Sequence, residues 1–295
     1  MRDYRGYGEN PPSVAWPGGA RVAVSVVLNI EDGAERSVAR GDTADDRFAH
    51  WEQHSVHPTE RNLALESAFE YGARAGIWRI LRALREFDVR GTAFCCALAL
   101  KGNPSVAEAL VRDGHEIANH GLAWDTHSDL SPQEEASKLR ESTAIIERMT
   151  GQRPGCWYSR DGISPATLDM VTASDGYRYD SNSFADDLPY LVQTAHGPLP
   201  VVPYAGDTND SGLLGVFPTG RAFAAYLCDS LDMLLADTRP GPSVLNVGLH
   251  PRLIGRPGYI GALRTFLAYS RSRPGTWFAG RRAIAEHWRG VVRAR

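Results

Sequence analysis

The stretch VAVSVVLNIEDGAE, residues 22–35, is the part of the sequence that decides the fold. Its first eight residues are almost continuously apolar and rich in β-branched side chains, which is typical of a strand covered on both faces. The carboxylates Glu31, Asp32 and Glu35 follow directly after this run. In parallel α/β proteins ligands gather at the carboxyl ends of the strands, so we expect these three side chains to border a functional site.

The rest of the chain alternates between segments with strand patterns and segments with helix patterns. The strand patterns cover 22–29, 91–100, 115–119, 155–159, 177–181, 198–204, 244–250 and 276–279, and the helix patterns cover 76–86, 104–113, 131–149, 165–174, 221–237, 259–271 and 281–289. The clearest helix start is Ser131-Pro132-Gln133-Glu134, where Ser131 and Glu134 can form a capping box. The alternation predicts parallel strands with right-handed crossovers in one α/β domain over residues 1–295, in the form of a barrel.

A long insertion, residues 33–73, separates the first strand from the first predicted helix. Loops of this length usually serve binding or assembly. Because the apolar side chains Phe48 and Trp51 lie in so polar a segment, we expect the insertion to lie at the interface of a homo-oligomer, most simply a tetramer. The spacing of His50, His54 and His57 could suit a metal on one helix face, but we interpret these histidines as part of a solvated segment.

The overall charge of the chain limits the classes of partner. The formal net charge is -3, with 32 basic and 35 acidic residues, which gives no global basic field for duplex nucleic acid. The N-terminal MRDYRGYGENPPSVAWPGG lacks the charged and apolar regions of a signal peptide, and no apolar run reaches the roughly 18 residues that span a bilayer. We therefore expect a cytoplasmic protein with a small-molecule partner and no membrane contact.

Polar side chains follow the other predicted strands as well. The residues at these strand ends are His120, Tyr158, Arg160, Asp180 and His250. Together with the carboxylates after the first strand they can hydrolyse an amide: a carboxylate activates water, a histidine protonates the leaving nitrogen, and a cation or metal holds the oxyanion. No GxSxG elbow, Walker loop or GxGxxG motif stands near a strand end, so serine nucleophiles and nucleotide cofactors are not indicated.

Several of these segments resemble motifs of the polysaccharide-deacetylase (NodB-type) superfamily. VLNIEDGAE, GTAFCCA, GHEIANHG, RPGCWYSR and LNVGLHPRLIGRPG resemble its five motifs in chain order, and in the last of these Leu249-His250 stands where the family has Leu-x-His. YGENPP, WPGGARVAV, EYGARAGIWRIL, DDLPY and LPVVPYAGDTND are similar to the branch that contains the cofactor-independent bacterial allantoinases and related cytoplasmic deacetylases. The resemblance covers almost the whole chain and implies a distorted (β/α)7-type barrel.

The resemblance also implies roles for single residues. Glu31 stands at the position of the family's catalytic aspartate, and Asp32 at that of its metal-binding aspartate. His120 matches the first metal histidine of the HxxxH motif, but Trp124 stands where the second is expected. His250 matches the histidine that acts as general acid, and Arg160 lies near the arginine of the third motif.

Trp124 leaves two alternatives for the site. An apolar ring in place of a ligand favours hydrolysis by carboxylate and histidine without a cofactor. The alternative is zinc or another divalent metal on Asp32 and His120, and hydrolytic zinc sites normally need a third protein ligand, for which His127 is the nearby substitute.

The sequence thus favours a hydrolase of non-peptide C–N bonds, acting on an allantoin-like ring amide or a small N-acyl compound, with Glu31, Asp32, His120 and His250 as catalytic residues. The residues expected to contact the substrate are Glu35, Trp124, Tyr158, Arg160, Asp187 and Arg256. One alternative is a metal-dependent deacetylase of an amino sugar. Another, of a different class, is a catalytically inactive barrel that serves binding or assembly.

Overall fold

The structure, a computed structural model, describes residues 3–46, 60–128 and 130–293 of the chain. One sheet runs through these residues. Its strands are β1 Val22–Ile30, β2 Thr92–Cys95, β3 Glu116–Asn119, β4 Cys156–Trp157, β5 Tyr179–Asp180, β6 Tyr190–Thr194, β7 Gly197–Val201, β8 Ser243–Leu249 and β9 Thr276–Phe278.

The strands follow one another in the order β6-β7-β5-β4-β3-β2-β1-β8, and β9 pairs with the first part of β1. All neighbours are parallel except β6 and β7, which form an antiparallel pair. The predicted α/β fold is confirmed, as a curled, open sheet that makes a half-barrel. The prediction that the strands are parallel was wrong for one pair. Residues 190–194 form an extra strand antiparallel to β7, and their partly exposed side chains gave no strand pattern in the sequence.

The helices are α1 Leu63–Tyr71, α2 Ile77–Glu86, α3 Ala97–Gly102, α4 Pro104–Arg112, α5 Pro132–Thr150, α6 Thr167–Ala173, α7 Gly220–Ala236, α8 Ile260–Arg271 and α9 Arg281–Arg293. The predicted capping box is present: the Ser131 hydroxyl accepts from the Glu134 amide, and the Glu134 carboxylate accepts from the Ser131 amide. Helix α1 lies inside the predicted 33–73 insertion, so this segment is partly regular structure.

The predicted strand over 91–100 is too long, because it ends at Cys95 and helix α3 begins at Ala97. A short apolar run has the same appearance in a buried strand and in a buried helix, so the apolar pattern alone could not place this boundary. The strand therefore ends five residues earlier than the sequence suggested.

Alternate residues of β1 pack on opposite faces of the sheet, as the pleat requires. Val22, Val24, Val26 and Leu28 belong to a core formed with the surrounding helices. Val27 belongs to a second core on the other face, together with residues of α9 such as Ile284 and Trp288. Burial on both faces explains why the β1 sequence is almost continuously apolar.

A π-helical turn, Gly72–Gly76, joins α1 to α2 and passes close to the ends of β1 and β8. A Cβ atom on Gly72 would lie 2.2 Å from Asp32 Oδ2, and one on Gly76 would lie 1.9 Å from the Pro251 carbonyl oxygen. Only glycine permits this approach. The turn therefore packs directly against Asp32 and Pro251, which follow β1 and β8.

The residues that supported the oligomer prediction, Phe48 and Trp51, lie outside the described residues, as do His50, His54 and His57. The tetramer stays a prediction. None of the helices in the described ranges combines the length and apolar character needed to span a bilayer.

Candidate active site

Glu31, the first residue after β1, lies at the centre of a buried group of charged side chains. Its Oε1 lies 3.1 Å from His120 Nε2 and 3.5 Å from His250 Nε2. Its Oε2 lies 2.7 Å from Arg252 Nη1. The carboxyl ends of β1, β3 and β8 thus bring together the predicted Glu31, His120 and His250, which are separated by up to 219 residues in the sequence.

His120 follows β3 and is held by the backbone carbonyl of Tyr158, the residue directly after the neighbouring strand β4. Its Nδ1 lies 3.1 Å from the Tyr158 carbonyl oxygen, which can only accept, so Nδ1 carries a hydrogen and donates it. Nε2 is therefore the ring nitrogen presented to Glu31. This fixes the ring so that Nε2 can exchange a proton with the carboxylate or with a group bound beside it.

His250, the first residue after β8, is held by Asp210 at the start of the 3-10 helix Asp210–Leu214. The ring Nδ1 donates to Asp210 Oδ1 at 2.6 Å, and the His250 amide donates to Asp210 Oδ2 at 2.8 Å. Asp210 is completely buried. With Nδ1 bound to Asp210, Nε2 is the atom that faces Glu31.

The two central groups have pKa values shifted in opposite directions. Burial by itself would raise the pKa of Glu31, but the charges of Arg252 and His250 and hydrogen bonds from both histidines hold it well below its usual range. Burial by itself would lower the pKa of His250, but Glu31 and Asp210 outweigh it and raise the value to about 9. At neutral pH the site therefore contains an ionised carboxylate beside a protonated imidazole, an arrangement suited to a base and an acid.

Asp32 contacts the same guanidinium nitrogen as Glu31, with its Oδ1 3.4 Å from Arg252 Nη1. Burial raises its pKa to about 7; Arg252 opposes the rise, and the negative charges of Glu31 and Glu35 add to it. The predicted Asp32 is therefore part of the group and, with Glu31, shares one cation.

The donor set does not fit a metal ion. The described residues contain no group of three or more His, Cys, Asp or Glu side chains placed to hold one. His127, the predicted substitute ligand, is buried with Nδ1 3.7 Å from Glu135 Oε1 and its ring against Trp157. The guanidinium of Arg252, itself a cation, lies 3.4 Å from Asp32. The three-ligand alternative built on Asp32, His120 and His127 is not formed.

Trp124 is buried where the resemblance expects the second metal ligand, and two arginines approach its ring. The guanidinium carbon of Arg160 lies 3.6 Å from a Trp124 ring centre, and that of Arg252 lies 4.8 Å away. Arg160 also makes a two-pronged pair with Asp46 at 2.5 and 3.1 Å. Trp124 and Arg160 therefore border the group through packing and charge.

Two other predicted contact residues, Tyr158 and Glu35, are at least partly buried. The Tyr158 ring stacks on Phe94 and lies 5.0 Å from the His120 ring, so it borders the group. Glu35 is nearly buried and accepts from the Gly33 amide at 2.6 Å.

Arg256 and Asp187 have other surroundings. The Arg256 guanidinium lies over the Tyr71 ring. Asp187 pairs with Arg239 at 3.8 Å and lines a cavity of about 420 Å³ whose lining does not include Glu31, His120 or His250. The structure thus gives Asp187 no place beside the acid–base group.

Sequence reasoning missed two residues of the group, Asp210 and Arg252. Both stand in stretches that carry the resemblance, LPVVPYAGDTND and LNVGLHPRLIGRPG. The available signals were an aspartate in the segment between the predicted strand 198–204 and the predicted helix 221–237, and an arginine two residues after the end of the predicted strand 244–250. Arg256, in the same second stretch, was predicted in place of Arg252.

Comparison with known proteins gives consistent matches. Residues 58–179 match the family model described as polysaccharide deacetylase. A Schizosaccharomyces pombe protein named "Putative polysaccharide deacetylase" is 30% identical, over 97% of this chain and 96% of its own.

Two solved structures are similar over nearly their whole length. The probable polysaccharide deacetylase from Pseudomonas aeruginosa is 41% identical with a TM-score of 0.92, over 98% of both chains. The PuuE allantoinase is 40% identical with a TM-score of 0.92, over 98% of this chain and 97% of its own.

Proposed function

The chain belongs to the polysaccharide deacetylase family, and we propose that it hydrolyses a C–N bond other than a peptide bond, in a small ring amide of the allantoin type or a small N-acyl compound. The observation that carries the proposal is the position of Glu31 between two histidines, with opposite pKa shifts on Glu31 and His250. Such pairs are typical of acid–base catalysis.

Each protein group has one task in this reaction. Glu31, ionised at neutral pH, accepts a proton from a water molecule whose oxygen bonds to the carbonyl carbon. His250 donates its Nε2 proton to the departing nitrogen as the C–N bond breaks. Asp210 keeps the imidazole oriented and protonated, and His120 aligns the water or the carbonyl group. An N-acyl compound gives a carboxylic acid and an amine, whereas a ring amide opens to one molecule that carries both the carboxylic acid and the released N–H group; water is the only other reactant consumed.

The substrate class rests on similarity and on the character of the site. The structure named as an allantoinase and the structure named as a probable polysaccharide deacetylase match this chain equally well in fold, at 40% and 41% identity. Both names describe hydrolysis of a C–N bond. We therefore propose a ring amide first and an N-acyl compound second, each handled by the same acid and base.

The structural observations argue against the two alternatives. A metal-dependent amino-sugar deacetylase needs a ligand set that the described residues do not supply. A barrel without catalytic activity has no need of a buried acid–base pair, which is costly to maintain unless it is used.

The test is a panel of allantoin, hydantoins, formamides and N-acetyl sugars incubated with purified protein, with product detected by mass spectrometry. We expect one class to be hydrolysed at a rate that falls about a hundredfold in Glu31→Gln, the usual contribution of a positioned base. Arg264→Gln, which removes an exposed surface pair with Glu86, is the matched control. Absence of turnover across the panel would count against the function.

A further inference from the structure

Arg252 is a buried cation, and two of its three guanidinium nitrogens have no hydrogen-bond partner among the described residues. Its side chain is only 4% exposed. Nη1 contacts Glu31 and Asp32, whereas Nε and Nη2 are buried without a hydrogen-bond partner. Buried donors of a charged group are costly when left without an acceptor, so these two nitrogens are candidates to bind a ligand.

The unused donors lie on one edge of the guanidinium. Nε–H and Nη2–H point in parallel and form the two-pronged fork that matches a pair of oxygens on one carbon. Phe69 and Trp124, whose rings lie 4.7 and 4.8 Å from the guanidinium carbon, pack against the group without supplying an oxygen acceptor in its plane. The ion pair with Glu31 fixes the direction of this edge.

We propose that this edge of Arg252 binds the two oxygens of the tetrahedral adduct, a role that rests on the proposed hydrolase function. An amide substrate has one oxygen on its reacting carbon. Once water has added, the same carbon carries two oxygens, one of them negative. The fork is thus complementary to the adduct more than to the substrate, and this difference is what accelerates a reaction.

The electron and proton movements balance without a cofactor. The water oxygen bonds to the carbonyl carbon while Glu31 takes a water proton, and the carbonyl π pair moves onto the oxygen held by Arg252. The adduct then reforms the carbonyl, the C–N bond breaks, and the nitrogen takes the proton of His250. The product is first a carboxylic acid, which loses its remaining hydroxyl proton to the solvent, and Glu31 Oε1 returns the proton that it took to His250 Nε2, 3.5 Å away. The resulting carboxylate retains both oxygens on the fork, so a small carboxylate is itself a ligand.

This assignment also accounts for the absence of a metal ligand set. Arg252 lies beside Asp32 and against the Trp124 ring, the positions that the resemblance assigns to metal ligands. The guanidinium supplies a fixed positive charge in a buried site, where charges interact more strongly than in water. A lysine in place of Arg252 would keep the positive charge but could not donate two parallel hydrogen bonds.

The experiment compares Arg252→Lys, Arg252→Ala and the surface control Arg264→Gln, with folding checked by circular dichroism. Acetate binding is followed by NMR titration, and kinetics are measured on the substrate found in the panel. We expect Arg252→Lys to bind acetate at least tenfold more weakly and to lose about a hundredfold in kcat with a smaller change in KM. Arg264→Gln should resemble the natural protein.

Chemical rescue supplies an independent measurement if Arg252→Ala is folded but slow. Added methylguanidinium should restore part of its turnover and leave Arg264→Gln unchanged. Equal acetate affinity and equal kcat in Arg252→Lys would overturn the inference while the hydrolase function stood. If acetate binding depends on Arg252 but the protein hydrolyses nothing in the panel, the result would support oxygen binding by Arg252 and contradict the proposed function.

Discussion

Asp210 holds His250 at two points, accepting from the ring Nδ1 at 2.6 Å and from the backbone amide at 2.8 Å. The same carboxylate accepts from the Ile254 amide at 3.2 Å, so it fixes the loop after β8 as well as the ring. Because the charge of Asp210 adds to that of Glu31 in raising the pKa of His250, Asp210 contributes both to the orientation and to the protonation state of the acid.

Asp210→Asn should therefore lower kcat/KM by roughly a hundredfold or more, since an amide holds the ring less firmly and no longer favours the imidazolium. Steady-state kinetics and an NMR titration of His250 check this together. The NMR pKa should move down toward the ordinary histidine value. An unchanged pKa alongside lost activity would show that Asp210 acts through the loop only.

The pH dependence follows from the raised pKa of His250. The acid is protonated below about pH 9, so kcat/KM should fall as the pH rises through that value. Above it the slope should approach about tenfold per pH unit, as one required proton is lost. A kcat/KM of the natural protein that already falls with rising pH below pH 7 would contradict the assignment.

The same raised pKa links pH to folding. A histidine bound more tightly to its proton in the folded state stabilises that state below its unfolded pKa of about 6.5. This contribution is lost as the pH rises through about 9. Urea unfolding at a series of pH values should show the loss, and it should shrink in Asp210→Asn.

Glu31 and His250 can be tested as base and acid by isosteric replacement. Glu31→Gln and His250→Asn should each lower turnover by roughly a hundredfold while far-UV circular dichroism stays that of the natural protein. Near-normal turnover in both variants would contradict the assignment of Glu31 as base and His250 as acid. Because the two groups act in one step, the double variant should be little slower than the slower single variant.

The sequence predicted the acid–base group for a physical reason. Parallel strands end at one edge of a sheet, so Glu31, His120 and His250 had to meet once β1, β3 and β8 were recognised. Asp210 belongs to no strand; it reaches His250 through a 3-10 helix whose direction no periodicity reveals. Arg252 and Arg256 stand one helical turn apart in a loop, and only packing decides that the first pairs with Glu31 while the second lies over Tyr71.

Gly72 provides a test of how the π-helical turn positions Asp32. A Cβ at this position would lie 2.2 Å from Asp32 Oδ2, so Gly72→Ala must displace the carboxylate or the turn. We expect a loss of roughly 1–3 kcal/mol in the free energy of unfolding, together with lower activity. Gly261→Ala, in helix α8 with open space around its Cβ, is the control and should be neutral or slightly stabilising.

Metal content is the remaining prediction. The natural protein should be zinc-poor by elemental analysis and unaffected by EDTA, because Arg252 already places a positive charge against Glu31 and Asp32. Trp124→His alone should also stay zinc-poor, since a dication would be placed beside a guanidinium. Stoichiometric zinc in the natural protein, lost with its activity on chelation, would show that the arginine does not take this role.

Combining Trp124→His with Arg252→Ala should reverse the result. The double variant removes the competing cation and offers Asp32, His120 and a new imidazole, the three ligands that a hydrolytic zinc site needs with one position left for water. We expect it to bind close to one zinc per chain, and Trp124→His with Arg264→Gln to bind as little as Trp124→His. Zinc uptake by Trp124→His alone, equal to that of the double variant, would mean that the guanidinium charge is no barrier to the metal.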